Sequence, residues 1–195
     1  MPARKHLIVG GLILLASWQA FAGGYIWLKA HVAQYLIAEA WYVTVQTGEQ
    51  AKPWRWADTY PLGRLTIADD DSFVLAGSSG RTLAFAPGHV TGTALPGEPG
   101  NIVLAAHRDT HFARLADASL GDDIWLESAR GTRHYRIANM QVVSESDTQV
   151  LQQNGDDRLT LITCYPFDGL AGQATQRMVV TALPVGPAHE FNTLK

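Results

Sequence analysis

The sequence predicts an all-β domain, a sandwich or closed barrel of short strands, carried behind an apolar N-terminal helix. Strand-like runs recur at Gly63–Ala68, Ser72–Ala76, Ile102–Ala106, Asp123–Glu127, Thr132–Val143, Leu159–Cys164 and Arg177–Leu183. Turn signals separate them: Asp69-Asp70-Asp71, Ala86-Pro87-Gly88, the Pro- and Gly-rich stretch 95–101, Ala129-Arg130-Gly131 and Asn154-Gly155. Helical spacing is confined to the N-terminus.

The chain of 195 residues suits one domain plus an appendage. A formal charge of −3 leaves no basic footprint for nucleic acid. A single cysteine cannot form an intramolecular disulfide, so packing must hold the domain. There is no CxxC pair, no HExxH and no glycine-rich phosphate loop. The seven histidines are scattered, so neither a metal nor a cofactor is expected.

Residues 1–29 read as a membrane anchor. From Leu7 to Leu28 no side chain is charged, and a helix of that length spans about 33 Å, enough for a hydrocarbon core of about 30 Å. Arg4 and Lys5 precede it, which keeps the N-terminus cytoplasmic and exports the chain beyond Lys29. Tyr25 and Trp27 suit the outer interface. The alternative is a signal peptide cleaved after Ala22, in Ala20-Phe21-Ala22, although hydrophobicity continues through Leu28. Both readings put the domain outside the cytoplasm.

Residues 30–50 read as a juxtamembrane helix and linker. Val32, Ala33, Leu36, Ile37, Ala40 and Trp41 stand at helical spacing, and Thr47-Gly48-Glu49 ends the pattern. The compact domain occupies 51–185, entered through Lys52-Pro53-Trp54-Arg55-Trp56, and 186–195 is a C-terminal tail. Within the domain, Arg133, Tyr135 and Ile137 alternate with His134, Arg136 and Ala138, as in a strand with one wet face.

The chemistry centres on Arg158–Phe167. Leu159, Leu161 and Ile162 with Thr160 and Thr163 form a strand that must stop near Cys164, because Pro166 cannot donate to a ladder. Taken alone, Cys164 is equally a reactive thiol or a small buried hydrophobe. A second apolar strand, Ile102–Ala106, ends at His107, and Arg177 opens the last strand. If those three ends converge, they supply a nucleophile, an acid/base and an anion-stabilising donor.

Other residues have plainer readings. His89 and His111 read as solvated loop histidines, and Arg108, Arg130, Arg133 and Arg136 as surface charge. Asp109 either orients His107 through a hydrogen bond or caps its loop. The triple aspartate at 69–71 invites calcium, yet such a turn is usually only solvated.

Thr-Leu-Ile-Thr-Cys at 160–164, His-Arg-Asp-Thr at 107–110, and an arginine 13 positions after the cysteine together resemble the sortase family. Cys-Tyr-Pro-Phe and His-Arg-Asp-Thr are most similar to its class D group. Lys-Pro-Trp-x-Trp-Ala-Asp-Thr (52–59) and Gly-His-Val-x-Gly-Thr-Ala (88–94) resemble a proteobacterial, Gram-negative-type branch. The resemblance covers about Ala51 to Pro184. It implies an eight-stranded β-barrel tethered to the inner membrane, with the catalytic domain in the periplasm.

It further implies a cysteine transpeptidase acting on a protein with a C-terminal Leu-Pro-x-Thr-Gly-type sorting signal. Cys164 would form a thioester and His107 would transfer protons. Arg177 would stabilise the oxyanion or hold the substrate backbone, and an amine on the cell envelope would accept the acyl group. Thr163, Tyr165 through its backbone N–H, and Asp109 are the expected substrate-side residues. The alternatives are a cysteine peptidase using water and a noncatalytic, membrane-tethered β-barrel for binding or assembly.

One magnitude constrains the chemistry. At pH 7, ordinary pKa values of about 8.5 and 6.5 give roughly 3% thiolate and 24% imidazolium, so under about 1% of molecules carry both if the groups titrate independently. The pair must be stabilised as an ion pair, or turnover must be slow.

Overall fold

The structure, a computed structural model, describes residues 2–169 and 174–186. Most of the expected C-terminal tail (187–195) lies outside the described residues. Two compact units are distinguished, residues 1–36 and 37–195.

The first unit is the opening of one long helix, α1 (Pro2–Thr47). Ile13, Leu14, Trp18, Phe21, Ile26 and Trp27 are all exposed. An apolar helix with these side chains exposed is suited to lipid. By length and composition it can cross a membrane.

In the second unit α1 continues from Ile37 and stops where Thr47-Gly48-Glu49 was expected to end it. Gly48 takes φ +72°, and its N–H reaches the Thr44 carbonyl at 2.9 Å. This is the left-handed cap that glycine adopts at least cost. Ile37 is fully buried with Leu75 and Ala86, flanked by Trp54, Phe73 and Phe85, so the helix end is docked on the domain. Trp54 meets Phe85 edge-on at 5.4 Å, which seats the tryptophan-rich entry segment.

The domain is a closed barrel. Its strands are β1 (Pro61–Ile67), β2 (Asp70–Ala76), β3 (Gly88–His89), β4 (Asn101–Ala105), β5 (Asp123–Ser128), β6 (Gly131–Ser144), β7 (Arg158–Tyr165) and β8 (Gln176–Pro184). Around the barrel they run β1-β2-β3-β4-β7-β8-β6-β5. The β2/β3 and β4/β7 pairs are parallel and the rest antiparallel. Closure removes the exposed edges that would otherwise invite association.

The eight-stranded barrel matches the expectation, and seven strands coincide with the sequence runs. The eighth, β3, starts at the last residue of a turn signal; it is only two residues long and owes its place to neighbours rather than to its own pattern. A Cβ at Gly88 would run into the Gly77 carbonyl, so glycine is what lets β3 approach there. A short helix, α2 (Gly80–Leu83), precedes it, capped by Ser79.

Alternation fills the interior. Ile102 and Leu104, Leu159 and Leu161, Tyr135 and Ile137, and Val180 and Ala182 point into one core with Leu65, Ile124 and Leu126. Burying each large side chain contributes about 1.5–3 kcal/mol relative to exposure. The aspartates at 69–71 are exposed, as expected, with Asp69 in the β1–β2 turn. Asp70 and Asp71 belong to β2, where Asp71 bonds Arg64 and Thr66, and Asp70 bonds Arg114 at 2.6 Å. Thr66 and Arg64 hold the Asp71 carboxyl below its usual range.

Candidate active site

Three neighbouring strands bring the candidate chemistry to one end of the barrel. β4 lies parallel to β7, with Ala105 opposite Ile162, and β7 lies antiparallel to β8, with Cys164 opposite Arg177. The β4/β7 contact persists past its last ladder pair: Ala106 N–H donates to Ile162 O at 3.2 Å. The Thr163 hydroxyl donates to Ala106 O at 2.8 Å. His107 follows Ala106 at this end of the barrel, on the strand side that borders β7, while Cys164 and Arg177 are paired directly across β7 and β8.

Parity puts all three on the same surface. Ile102, Leu104 and Ala106 face the core, as do Leu159 and Leu161, and Val180 and Ala182. His107, Cys164 and Arg177 belong to the opposite set on their strands, so they face outward. Cys164 is a free, half-buried thiol and His107 is exposed. An exposed imidazole and a half-buried thiol on a rigid outer wall are reachable from solvent.

Arg177 is held by its surroundings. Its Nη1 donates to Ala174 O at 2.8 Å and Gln176 O at 2.9 Å, and its Nη2 donates to Glu145 Oε2 at 3.1 Å. Those bonds use three of the five guanidinium N–H groups, and among the described residues Nε–H and one N–H of Nη2 have no partner. Glu145 begins the β6–β7 connection, so the arginine also pins that connection beside the thiol.

The same outer face carries a groove of about 300 Å³ lined by Gln141, Val143, Asp147, Val150, Thr160 and Val179, among others. Its floor is β6, β7 and β8, and its wall is the β6–β7 connection. A polar clamp fixes that wall. Asn101, fully buried at the start of β4, donates to Val150 O at 2.9 Å and accepts the Thr160 hydroxyl at 2.7 Å. Gln153 returns two bonds to the Asn101 main chain, at 3.0 and 2.8 Å, as a neighbouring strand would. Asn101 read only as the end of a turn stretch and Gln153 carried no sequence signal, because the value of both lies in long-range pairing.

The substrate-side expectations take definite positions. Thr163 is buried with its hydroxyl committed to Ala106 O. Tyr165 ends β7 and stacks edge-on against Phe167 at 6.2 Å. Asp109 is exposed in the turn after His107, and no hydrogen bond joins the two among the described residues.

Several plain readings need correction. Arg108 and Arg133 are not surface charges; each is 8% exposed. Arg133 pairs with Asp157 at 3.1 Å and lies 5.7 Å over the Tyr135 ring. That tyrosine's hydroxyl is pushed up to about 12, chiefly by burial. Arg130 and Arg136 are exposed as expected.

His89 is not solvated either. It sits on β3 at 4% exposure, its Nε2 bonding Ala94 O at 2.9 Å and Thr93 Oγ1 at 3.1 Å. Burial pushes its pKa down despite these bonds. Half-buried His111 is lowered too, by burial and then by the charge of His107. Both favour the neutral ring in the fold. Their contribution is complete above the unfolded value of about 6.5 and is lost as pH falls through their depressed folded values. Urea titrations should show stability falling from pH 7.5 to 5.5, and His89→Gln should flatten that slope. An unchanged slope would contradict this role for His89.

Known proteins share this fold. A family profile described as the sortase domain matches residues 67–185. Sortase D of Bacillus subtilis (strain 168) is 33% identical over 108 residues, 55% of this chain and 54% of that protein, so the match spans about half the curated relative's length. Sortase A from Corynebacterium diphtheriae superposes with a TM-score of 0.61 at 28% identity, covering 73% of this chain and 68% of that one. A Clostridium perfringens sortase D5 transpeptidase gives 0.65 at 25% identity, covering 79% and 99%. By the matched profile, the barrel it describes and these relatives, the chain belongs to the sortase family.

Proposed function

We propose that this protein is a membrane-anchored cysteine transpeptidase. It cuts a C-terminal Leu-Pro-x-Thr-Gly-type sorting signal and passes the acyl fragment to an amine. The observation that supports the reading is the pairing of Cys164 with Arg177 across β7 and β8, on the strand whose parallel neighbour β4 leads to exposed His107, beside a groove on the same face.

The steps balance on those residues. The Cys164 thiolate attacks the scissile carbonyl, the Sγ–C bond forms, and the oxyanion takes hydrogen bonds from the Arg177 donors left open. As the C–N bond breaks, imidazolium His107 gives its proton to the leaving amine. The thioester keeps the acyl group activated. An incoming amine attacks it, returns a proton to His107 and releases the thiolate. The groove beside the site takes the extended residues ahead of the scissile bond, with the clamped β6–β7 connection as its wall.

The long apolar α1 supports anchoring. With Arg4 and Lys5 ahead of it, the N-terminus stays in the cytoplasm and the barrel works on the periplasmic side of the inner membrane. The substrate is then an exported protein, and the acceptor is an amine of the cell envelope.

The experiment incubates the full chain in detergent with a sorting-signal peptide, with and without a primary amine, and follows products by mass spectrometry. A new amide that appears only with amine supports the transpeptidase. Hydrolysed peptide at the same rate in both would make the protein a peptidase. In the same assay, Arg177→Gln should lower kcat/KM roughly 10²–10³-fold, the usual cost of losing an oxyanion donor. Arg177→Lys, a point charge without the fork, should recover little of it. Full activity of Arg177→Gln would remove the arginine from the mechanism.

A further inference from the structure

The exposed His107 ring makes no hydrogen bond among the described residues, so its aim must come from its backbone. That backbone is tied on both flanks to the strand that carries the thiol. Ahead of it, Ala106 O accepts the Thr163 hydroxyl at 2.8 Å. Behind it, Arg108 Nη1 donates to Pro166 O at 2.6 Å and Nη2 to Gly169 O at 2.5 Å. Residues 106 and 108 are thus held by residues 163 and 166, the neighbourhoods of His107 and Cys164 respectively. The turn is closed from below, since Phe112 is fully buried and its N–H donates to His107 O at 3.1 Å.

We propose that Arg108 is a positioning residue that locks the His107 turn to the segment leaving Cys164, setting the separation of base and nucleophile. The inference rests on the transpeptidase reading for its catalytic consequence. The guanidinium suits the task because its planar fork can hold two carbonyls at once, and its burial keeps water from competing. A chain reversal after a strand end has no ladder to fix it. Here a side chain from the neighbouring reversal replaces that ladder. Misplacement of a reacting group by about 1 Å can cost on the order of 10²-fold in rate, so this tether matters even though Arg108 touches no substrate.

The test compares the full chain in detergent with Arg108→Met, Arg108→Lys and Arg133→Met. The last removes an equally buried arginine near the opposite ends of β4 and β7 and controls for general destabilisation. Amide hydrogen exchange, which needs no activity, should rise together at 107–112 and 165–169 in Arg108→Met, with β4 and β7 still protected. With a sorting-signal peptide, kcat should fall roughly 10- to 100-fold while KM stays within about threefold. Arg108→Lys, which can hold one carbonyl but not both in a fork, should fall between it and wild type. Arg133→Met should lower the melting temperature with little change in kcat.

Exchange that rises in only one segment, or in neither, would overturn the tether. So would a kcat loss that Arg133→Met reproduces at equal loss of stability. A wild-type protein inert toward every peptide would refute the transpeptidase reading, and the exchange measurement would still decide the tether.

Discussion

Cys164→Ala is expected to abolish thioester formation and to reduce turnover of a sorting-signal peptide by at least about 10⁴-fold. Nucleophile losses in covalent catalysis reach that scale because no other group can open the same path. No second cysteine exists to substitute for it. The thiol is half-buried on the outer wall, so its removal leaves no core cavity, and the melting temperature should stay within a few degrees of wild type. The variant should still bind peptide in the groove, because the residues lining the groove are untouched. Fluorescence titration with labelled peptide, run beside the turnover assay, separates binding from chemistry. Wild-type turnover in the alanine variant would leave the His107–Cys164–Arg177 register without a catalytic meaning.

His107→Ala carries the next largest expectation, a loss of roughly 10²–10⁴-fold, the range for removing a general acid/base. On the proposed mechanism the upper end applies, because one imidazole would serve both half-reactions, protonating the departing amine and then deprotonating the arriving one. The side chain is exposed, so the fold should not respond and the missing ring leaves a space open to solvent. Added imidazole should therefore restore part of the rate in a concentration-dependent way. A His107→Ala enzyme with normal kcat and an unchanged pH profile would require another base, and half-buried His111 four residues on is the first to examine.

The sequence carried most of this site because its chemistry is local. Two apolar runs of strand length each ended in a reactive residue, and an arginine opened a third. Parallel and antiparallel pairing then did the rest, since registers bring strand ends together whatever lies between them. What stayed hidden was tertiary. The two residues of β3 are too few to show a period, and Gly88 matters only against the Gly77 carbonyl. Arg108 reads as a solvated charge until Pro166 and Gly169, some sixty positions on, supply their carbonyls.

Arg133 is more instructive. Alternation along β6 already placed it with Tyr135 and Ile137 on the buried face, but its charge argued for the surface. Pairing with Asp157 and the Tyr135 ring settles the conflict in favour of the pattern. His89 obeys the same logic, because its hydrogen bonds come from a turn that folds back over β3. The long apolar helix at the N-terminus was legible by composition, and its end by Thr47-Gly48-Glu49.

The most direct measurement is the intact mass of the full-length wild-type chain, quenched in acid seconds after mixing with a Leu-Pro-x-Thr-Gly-type peptide. The expected result is a mass increase equal to the peptide's acyl fragment. It should map to Cys164 after digestion, be labile to hydroxylamine, and vanish as an amine is added and a new amide appears. A chain that turns the peptide over while never carrying that adduct, or carries it at another residue, would contradict thioester catalysis at Cys164.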